Sequence, residues 1–363
     1  MAKQFSSNTL GGSGNQYYFV SDGSRIRSRV LYRIKSGGRY NYRLTYSNVI
    51  ASTFADGSKS VANRILPEWT VHSIRVARGD RDCVGEGGDT LDESMLDRFC
   101  GVTIGGRSSY EVHSGELFTT DEFEFFAETD EYLCVELEFS GSELPMHEES
   151  LLPIFVYNDG WHYCKETPLP SLVACDRQVS KSIAFIGDSI TQGIGTKNNS
   201  YAHWNAMLAK RLGDKLSYWN LGLGYGRASD VASRGIWFEL AASCDVIFIC
   251  FGVNDLLQVG DEDAIKADLE SIVKSYKAMG RTVVIQTLPP FDYVGSLIEK
   301  WVEINRFIKQ ELAKEADFVF DCVPILGKED AFHLAKYGTH PNEEGCSIWA
   351  DALFKALPYG LFD

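Results

Sequence analysis

Ile183-Ala184-Phe185-Ile186-Gly187-Asp188-Ser189-Ile190-Thr191-Gln192-Gly193 is the stretch whose reading decides the fold. Its apolar run, 183–186, reads as a short buried strand that runs into a glycine turn carrying an acid and a serine. Four further runs of the same kind come at 216–221, 246–251, 282–287 and 318–320. Between them lie amphipathic stretches of helix length. Ile265, Leu269, Ile272, Val273 and Tyr276 fall on one helical face, closed by Gly280; Leu297, Trp301, Ile304, Ile308 and Leu312 do the same. Strands alternating with helices predict an α/β domain: an open parallel sheet with helices on both faces.

Upstream, from about residue 25 to 165, the period is two. Tyr40, Tyr42, Leu44 and Tyr46 alternate with Asn41, Arg43 and Thr45. Phe123 and Phe125 alternate with Glu122 and Glu124, and Val135, Leu137 and Phe139 with Glu136 and Glu138. Glycine turns at 36–38, 86–88 and 105–106 punctuate these runs, so this half predicts an antiparallel β-sandwich of half-buried strands. The stretch 165–181, with Pro168 and Pro170, reads as the connector. The chain therefore reads as two domains, 1–176 and 177–363.

Composition narrows the function. The 363 residues are 44% hydrophobic and 12% aromatic, enough for packed cores. A net charge of −15 argues against nucleic-acid partners and anionic membrane surfaces, both of which need basic faces. No apolar run reaches membrane-spanning length, and the first residues lack the apolar core of a signal peptide. The nine cysteines form no CxxC pair, and several, such as Cys250, sit inside apolar runs. Reduced thiols in a cytoplasmic protein are the expectation, with the oligomeric state open.

In an open parallel sheet, ligands bind beyond the carboxyl ends of the strands. The first strand leads into Gly187-Asp188-Ser189 and the second into Gly222-Leu223-Gly224-Tyr225-Gly226-Arg227. The third leads into Gly252-Val253-Asn254-Asp255, and Gly338-Thr339-His340-Pro341-Asn342 precedes the last helix. A serine, a glycine turn, an asparagine and a histidine thus share one edge. Acyl transfer needs such a set: a hydroxyl is a weak nucleophile until a hydrogen-bonded base takes its proton, and the oxyanion needs preplaced donors. The backbone N–H groups of Ser189 and of the 224–226 turn, with the side-chain amide of Asn254, are the candidate donors.

The order and spacing of these blocks over about the last 185 residues resemble the SGNH hydrolases, the GDSL esterase group. The resemblance implies a flavodoxin-like three-layer domain with Ser189 as nucleophile, His340 as base and an oxyanion hole of serine, glycine and asparagine. Asp188 is then structural, bracing the turn. The upstream half, with Arg43-Leu44-Thr45-Tyr46-Ser47-Asn48, is similar to the jelly-roll-like sandwich that precedes this fold in some bacterial carbohydrate esterases, which would make it carbohydrate-facing. Two positions depart from the family. Tyr337 stands where an aspartate usually orients the histidine; some carbohydrate acetylesterases with this layout also lack it and work as a Ser–His dyad. Tyr225 falls where the oxyanion glycine is expected, so Gly224, one residue earlier, is taken as the donor. Asp330 is an alternative orienting carboxylate, and no third triad member is named.

Plainer readings compete. Ser189 fits a helix N-cap, Asn254 a turn former and His340 a loop residue before a proline. Their joint occurrence on one edge favours the chemical reading. His203 and Trp204 read as packing residues, and Arg227 as a salt-bridge partner or a substrate contact. The remaining histidines show no metal-ligand spacing, and 222–226 lacks a full GxGxxG, so no metal and no cofactor are expected. The expected activity is hydrolysis of a small-molecule or oligosaccharide ester, first an O-acetyl carbohydrate. A generic short-chain esterase or thioesterase comes second and a catalytically idle sugar-binding protein third.

Overall fold

A computed structural model describes residues 4–54 and 60–362. The chain divides into two compact units, 1–178 with 198–200, and 179–197 with 201–363.

The first unit is built from antiparallel sheets. Gly38–Ser47 pairs with Leu172–Cys175, Leu117–Thr119 and Phe123–Ala127 in a five-stranded sheet. Ile26–Arg33, Tyr132–Gly141 and Trp69–Gly79 form the middle of a seven-stranded one. Along Gly38–Ser47, Tyr42, Leu44 and Tyr46 are buried while Asn41, Arg43 and Thr45 are half-buried, as period two requires. Two sequence readings change here. The stretch read as a connector contributes the strand Leu172–Cys175, whose backbone pairs with Tyr42–Thr45. Glu136, read as solvent-facing, is 2% exposed. Its carboxylate takes the Arg29 Nε–H at 2.9 Å and an ion pair from Arg75, and this pairing makes its burial tolerable. The same face of the sheet is covered nearby by a cluster of Leu31, Ala77, Cys134 and Phe155 with the loop residues Cys83 and Val84. Tyr132–Gly141 is therefore buried on both faces over most of its length.

The second unit is a five-stranded parallel sheet of Lys181–Gly187, Leu216–Gly222, Val246–Cys250, Thr282–Gln286 and Phe318–Phe320 in spatial order 2-1-3-4-5. That is the flavodoxin-like order, with helices packed on both faces. Each strand coincides with a predicted run to within two residues at either end. Glu262–Ala278 is capped by Asp261, which accepts from the Ala264 N–H at 3.1 Å, and buries Ile265, Leu269, Ile272, Val273 and Tyr276. Ser296–Gln310 buries Trp301, Ile304 and Ile308. Trp204 and Trp349 stack at 4.8 Å, and Trp204 meets Phe185 of the first strand edge-on at 5.4 Å. No helix among the described residues is long and apolar enough to cross a membrane.

Candidate active site

The first strand ends at Gly187, and Asp188 caps the one-turn helix Ser189–Gln192 by accepting from the Ile190 N–H at 2.9 Å. Starting a helix immediately after a buried strand leaves the Ser189 side chain at the carboxyl edge of the sheet, partly accessible. Asp188 itself is 2% exposed. Burial first, and the nearby Asp255 carboxylate second, push its pKa up to about 7. The residue that the family reading made structural is thus a buried helix cap.

The second strand ends at Gly222, where a side chain is excluded: a Cβ would lie 2.1 Å from the Gln192 backbone nitrogen. The turn after it is tied back to the first strand by Leu223 N–H donating to Gly187 O at 3.0 Å. Within it Gly226 N–H donates to Leu223 O at 3.1 Å, Gly224 is buried, and Tyr225 is exposed with φ of 63°. A tyrosine with left-handed backbone geometry is costly, so the hydrogen bonds around it must hold the turn.

The third strand delivers the helix Val253–Gln258. Asn254 Nδ2 donates to Gly226 O at 3.0 Å, which places the amide against the same turn and leaves its second N–H for another acceptor. Asp255 accepts from the backbone N–H groups of Ala228 at 3.0 Å and Ser229 at 3.4 Å, the first turn of the helix Ala228–Ala232. Burial raises its pKa to about 6. Arg227, left undecided from sequence, pairs with buried Asp230 through Nη2 at 2.6 Å.

The histidine arrives from the far end of the chain. Asn342 N–H donates to Tyr337 O at 3.0 Å, closing the loop around His340, and the Asn342 side chain caps the helix Glu343–Ala356. His340 Nε2 and Ser189 Oγ stand 2.8 Å apart, hydrogen-bond distance between residues 151 positions apart in sequence. Tyr337 lies with its ring against Gly345 at the start of that helix, and a Cβ on Gly345 would sit 2.6 Å from the Tyr337 Cβ. Asp330 is exposed in the turn between Gly327–Lys328 and Ala331–Ala335. His203 packs under Gly193, consistent with a packing role.

Sequence reasoning passed over the loop after the fourth strand. Phe291 there meets the His340 ring edge-to-face, centroids 5.3 Å apart at 79°. The rule that led to the other three loops, inspection of the residues just beyond each parallel strand, pointed equally to residues 287–295.

Taken together, a hydroxyl with a hydrogen-bonded imidazole stands beside a turn and an amide rich in N–H donors, which is the equipment for acyl transfer. Among the described residues no cluster of metal-ligating side chains occurs.

Residues 185–348 match the family model described as GDSL-like Lipase/Acylhydrolase family. Over these residues, less than half of the chain, the protein is similar to the GDSL-like acylhydrolases, and that match supports a carboxylic ester hydrolase. No curated protein matches the chain. Among solved structures, it is similar to a GDSL-like lipase from Bacteroides thetaiotaomicron, with 19% identity and TM-score 0.38 over 49% of this chain and 87% of that one. An acetyl-xylooligosaccharide esterase variant from a Geobacillus gives 22% identity and TM-score 0.38 over 50% and 97%. A family two carbohydrate esterase from Cellvibrio japonicus gives 12% identity and TM-score 0.39 over 98% and 94%.

Proposed function

We propose that the protein removes small acyl groups, O-acetyl groups of carbohydrates in first place, by a Ser–His acyl-enzyme mechanism. The observation that carries this reading is the 2.8 Å contact between Ser189 Oγ and His340 Nε2 within the acylhydrolase domain. Ser189 attacks the acyl carbonyl as His340 takes its proton. The oxyanion forms against N–H donors drawn from Ser189, Gly224 and Asn254. The imidazolium then returns the proton to the departing sugar alcohol, and a water activated by the same imidazole releases the acid and restores Ser189. Asp188 takes no proton in this scheme and braces the nucleophile turn. Support for a polar alcohol comes from the rim, where Tyr225 is exposed and the Asn254 amide is half-buried.

The test is hydrolysis of p-nitrophenyl acetate and butyrate by wild type beside Ser189→Ala and His340→Ala. Turnover should be faster on acetate and fall by about 10³-fold or more in either variant with the fold retained. Wild-type rates in Ser189→Ala would remove the proposed nucleophile. Fluorophosphonate labelling of Ser189 separates an active esterase from an idle sugar-binding protein, which would leave the serine unlabelled.

A further inference from the structure

A histidine base works only if its ring is held toward the nucleophile, and here Tyr337, with its ring against Gly345, occupies the position of the usual orienting acid. Two contacts in the same unit bear on how the ring is held. The first is the Phe291 ring, set edge-to-face on the imidazole. Its loop is braced at several points. Leu288 N–H donates to Asn305 Oδ1 at 2.7 Å, while Leu288 O accepts from Asn305 Nδ2 at 3.1 Å and from Trp301 Nε1 at 3.0 Å. Asp292, with φ of 54°, accepts from the Ala335 N–H at 2.7 Å, and Tyr293 Oη donates to Pro289 O at 3.2 Å. A ring on so constrained a loop is a fixed wall. The second contact is backbone. Gly195 has φ of +99°, and a Cβ there would stand 2.6 Å from His340 O and 2.8 Å from Pro341 O. The residue just before it, Ile194, donates its N–H to Ser189 O at 3.0 Å. One short segment therefore closes the nucleophile helix and seats the backbone of the base.

We propose that Phe291 and Gly195 are positioning residues for His340: the wall sets the direction of the imidazole, and the glycine seat sets the distance of its backbone from Ser189. The inference rests on the ester-hydrolase reading of the Ser189–His340 pair. A base displaced by a fraction of an ångström loses proton transfer in the transition state while ground-state binding is left nearly intact. The effect therefore belongs in kcat, with KM nearly unchanged.

The experiment compares p-nitrophenyl acetate kinetics of wild type, Phe291→Leu, Phe291→Tyr, Gly195→Ala and Gly213→Ala. Gly213, at φ of +85° with nothing within 4 Å of a built Cβ, controls for backbone strain alone. Phe291→Leu should lower kcat about tenfold with KM unchanged, and Phe291→Tyr should restore it, because the aromatic wall returns. Gly195→Ala should lose about 100-fold or more in kcat and Gly213→Ala little. Wild-type kcat in Phe291→Leu or Gly195→Ala overturns the proposal, as does a loss confined to KM or an equal loss in Gly213→Ala. Imidazole NMR signals of His340, assigned against His340→Ala, give a readout that needs no turnover. They should move in Gly195→Ala, where no neighbouring ring is removed, and unmoved signals there overturn the proposal. Absence of wild-type turnover would instead refute the ester-hydrolase reading, with the imidazole signals still deciding the positioning role.

Discussion

Asp188 and Ser189 are neighbours in sequence with opposite surroundings: the serine is partly accessible, and the acid is sealed beneath it. An aspartate with its pKa pushed up to about 7 by burial binds a proton in the folded state that the unfolded chain, near 3.8, releases. Folding is therefore favoured at low pH, and that contribution is lost as pH rises from about 4 through 7. Asp255, raised to about 6, adds in the same direction. Asp188→Asn keeps an oxygen acceptor for the Ile190 N–H and removes the titration. Urea midpoints between pH 5 and 7.5 should fall in wild type and fall less steeply in the variant, with the variant the more stable at pH 7.5. Identical slopes would show that Asp188 is ionised in the fold. At this scale Ser189, Asn254 and His340 were legible because each lies just past a strand or before the last helix with a side chain suited to acyl transfer. The burial that perturbs Asp188 was not, because it depends on what the tertiary fold places around the turn.

Elements explain how so few residues are held to one geometry. The glycine turn at 222–226 is fixed through Leu223 to the first strand and through Asn254 to the helix that follows the third. Asp255 completes the arrangement by taking two otherwise unpaired N–H groups at the start of Ala228–Ala232. Asp255→Ala should destabilise the protein by about 1–3 kcal/mol, since buried donors lose their acceptor. It should also lower kcat for p-nitrophenyl acetate by loosening the turn that Asn254 touches. Asp255→Asn, which keeps one acceptor, should lose less on both counts. Urea unfolding and steady-state kinetics on the same preparations check this, and an Asp255→Ala protein of wild-type stability would refute the capping role. The parallel strands and the two long helices were legible because apolar periodicity records one buried face or two. A helix start at Ser189 was among the readings, but its cap is Asp188 and its length one turn, which four residues without periodicity do not disclose. Leu172–Cys175 was hidden by the prolines that precede it and by its short length.

Across the whole molecule, the change from period two to alternating strand and helix near residue 180 marks the boundary between the two units. That contrast is legible because sheet-on-sheet and helix-on-sheet packing demand different repeats from the chain. Every group proposed for the chemistry, from Asp188 and Ser189 through Asn254 and Phe291 to His340, lies in the second unit. That unit has its own sheet and its own aromatic core around Phe185, Trp204, Tyr218, Phe248 and Trp349, all at most 2% exposed. A domain of this size buries enough surface to fold by itself. Residues 179–363 expressed alone should therefore unfold cooperatively in urea and hydrolyse p-nitrophenyl acetate within about tenfold of the full chain, since acetyl transfer draws on groups of this unit only. Ser189→Ala in the fragment should abolish that turnover. If the fragment folds but is inactive, the machinery is incomplete without the β-sandwich. If it matches the full chain on p-nitrophenyl acetate yet loses activity on acetylated oligosaccharides, the sandwich acts in recognising the sugar, leaving ester cleavage to the second unit.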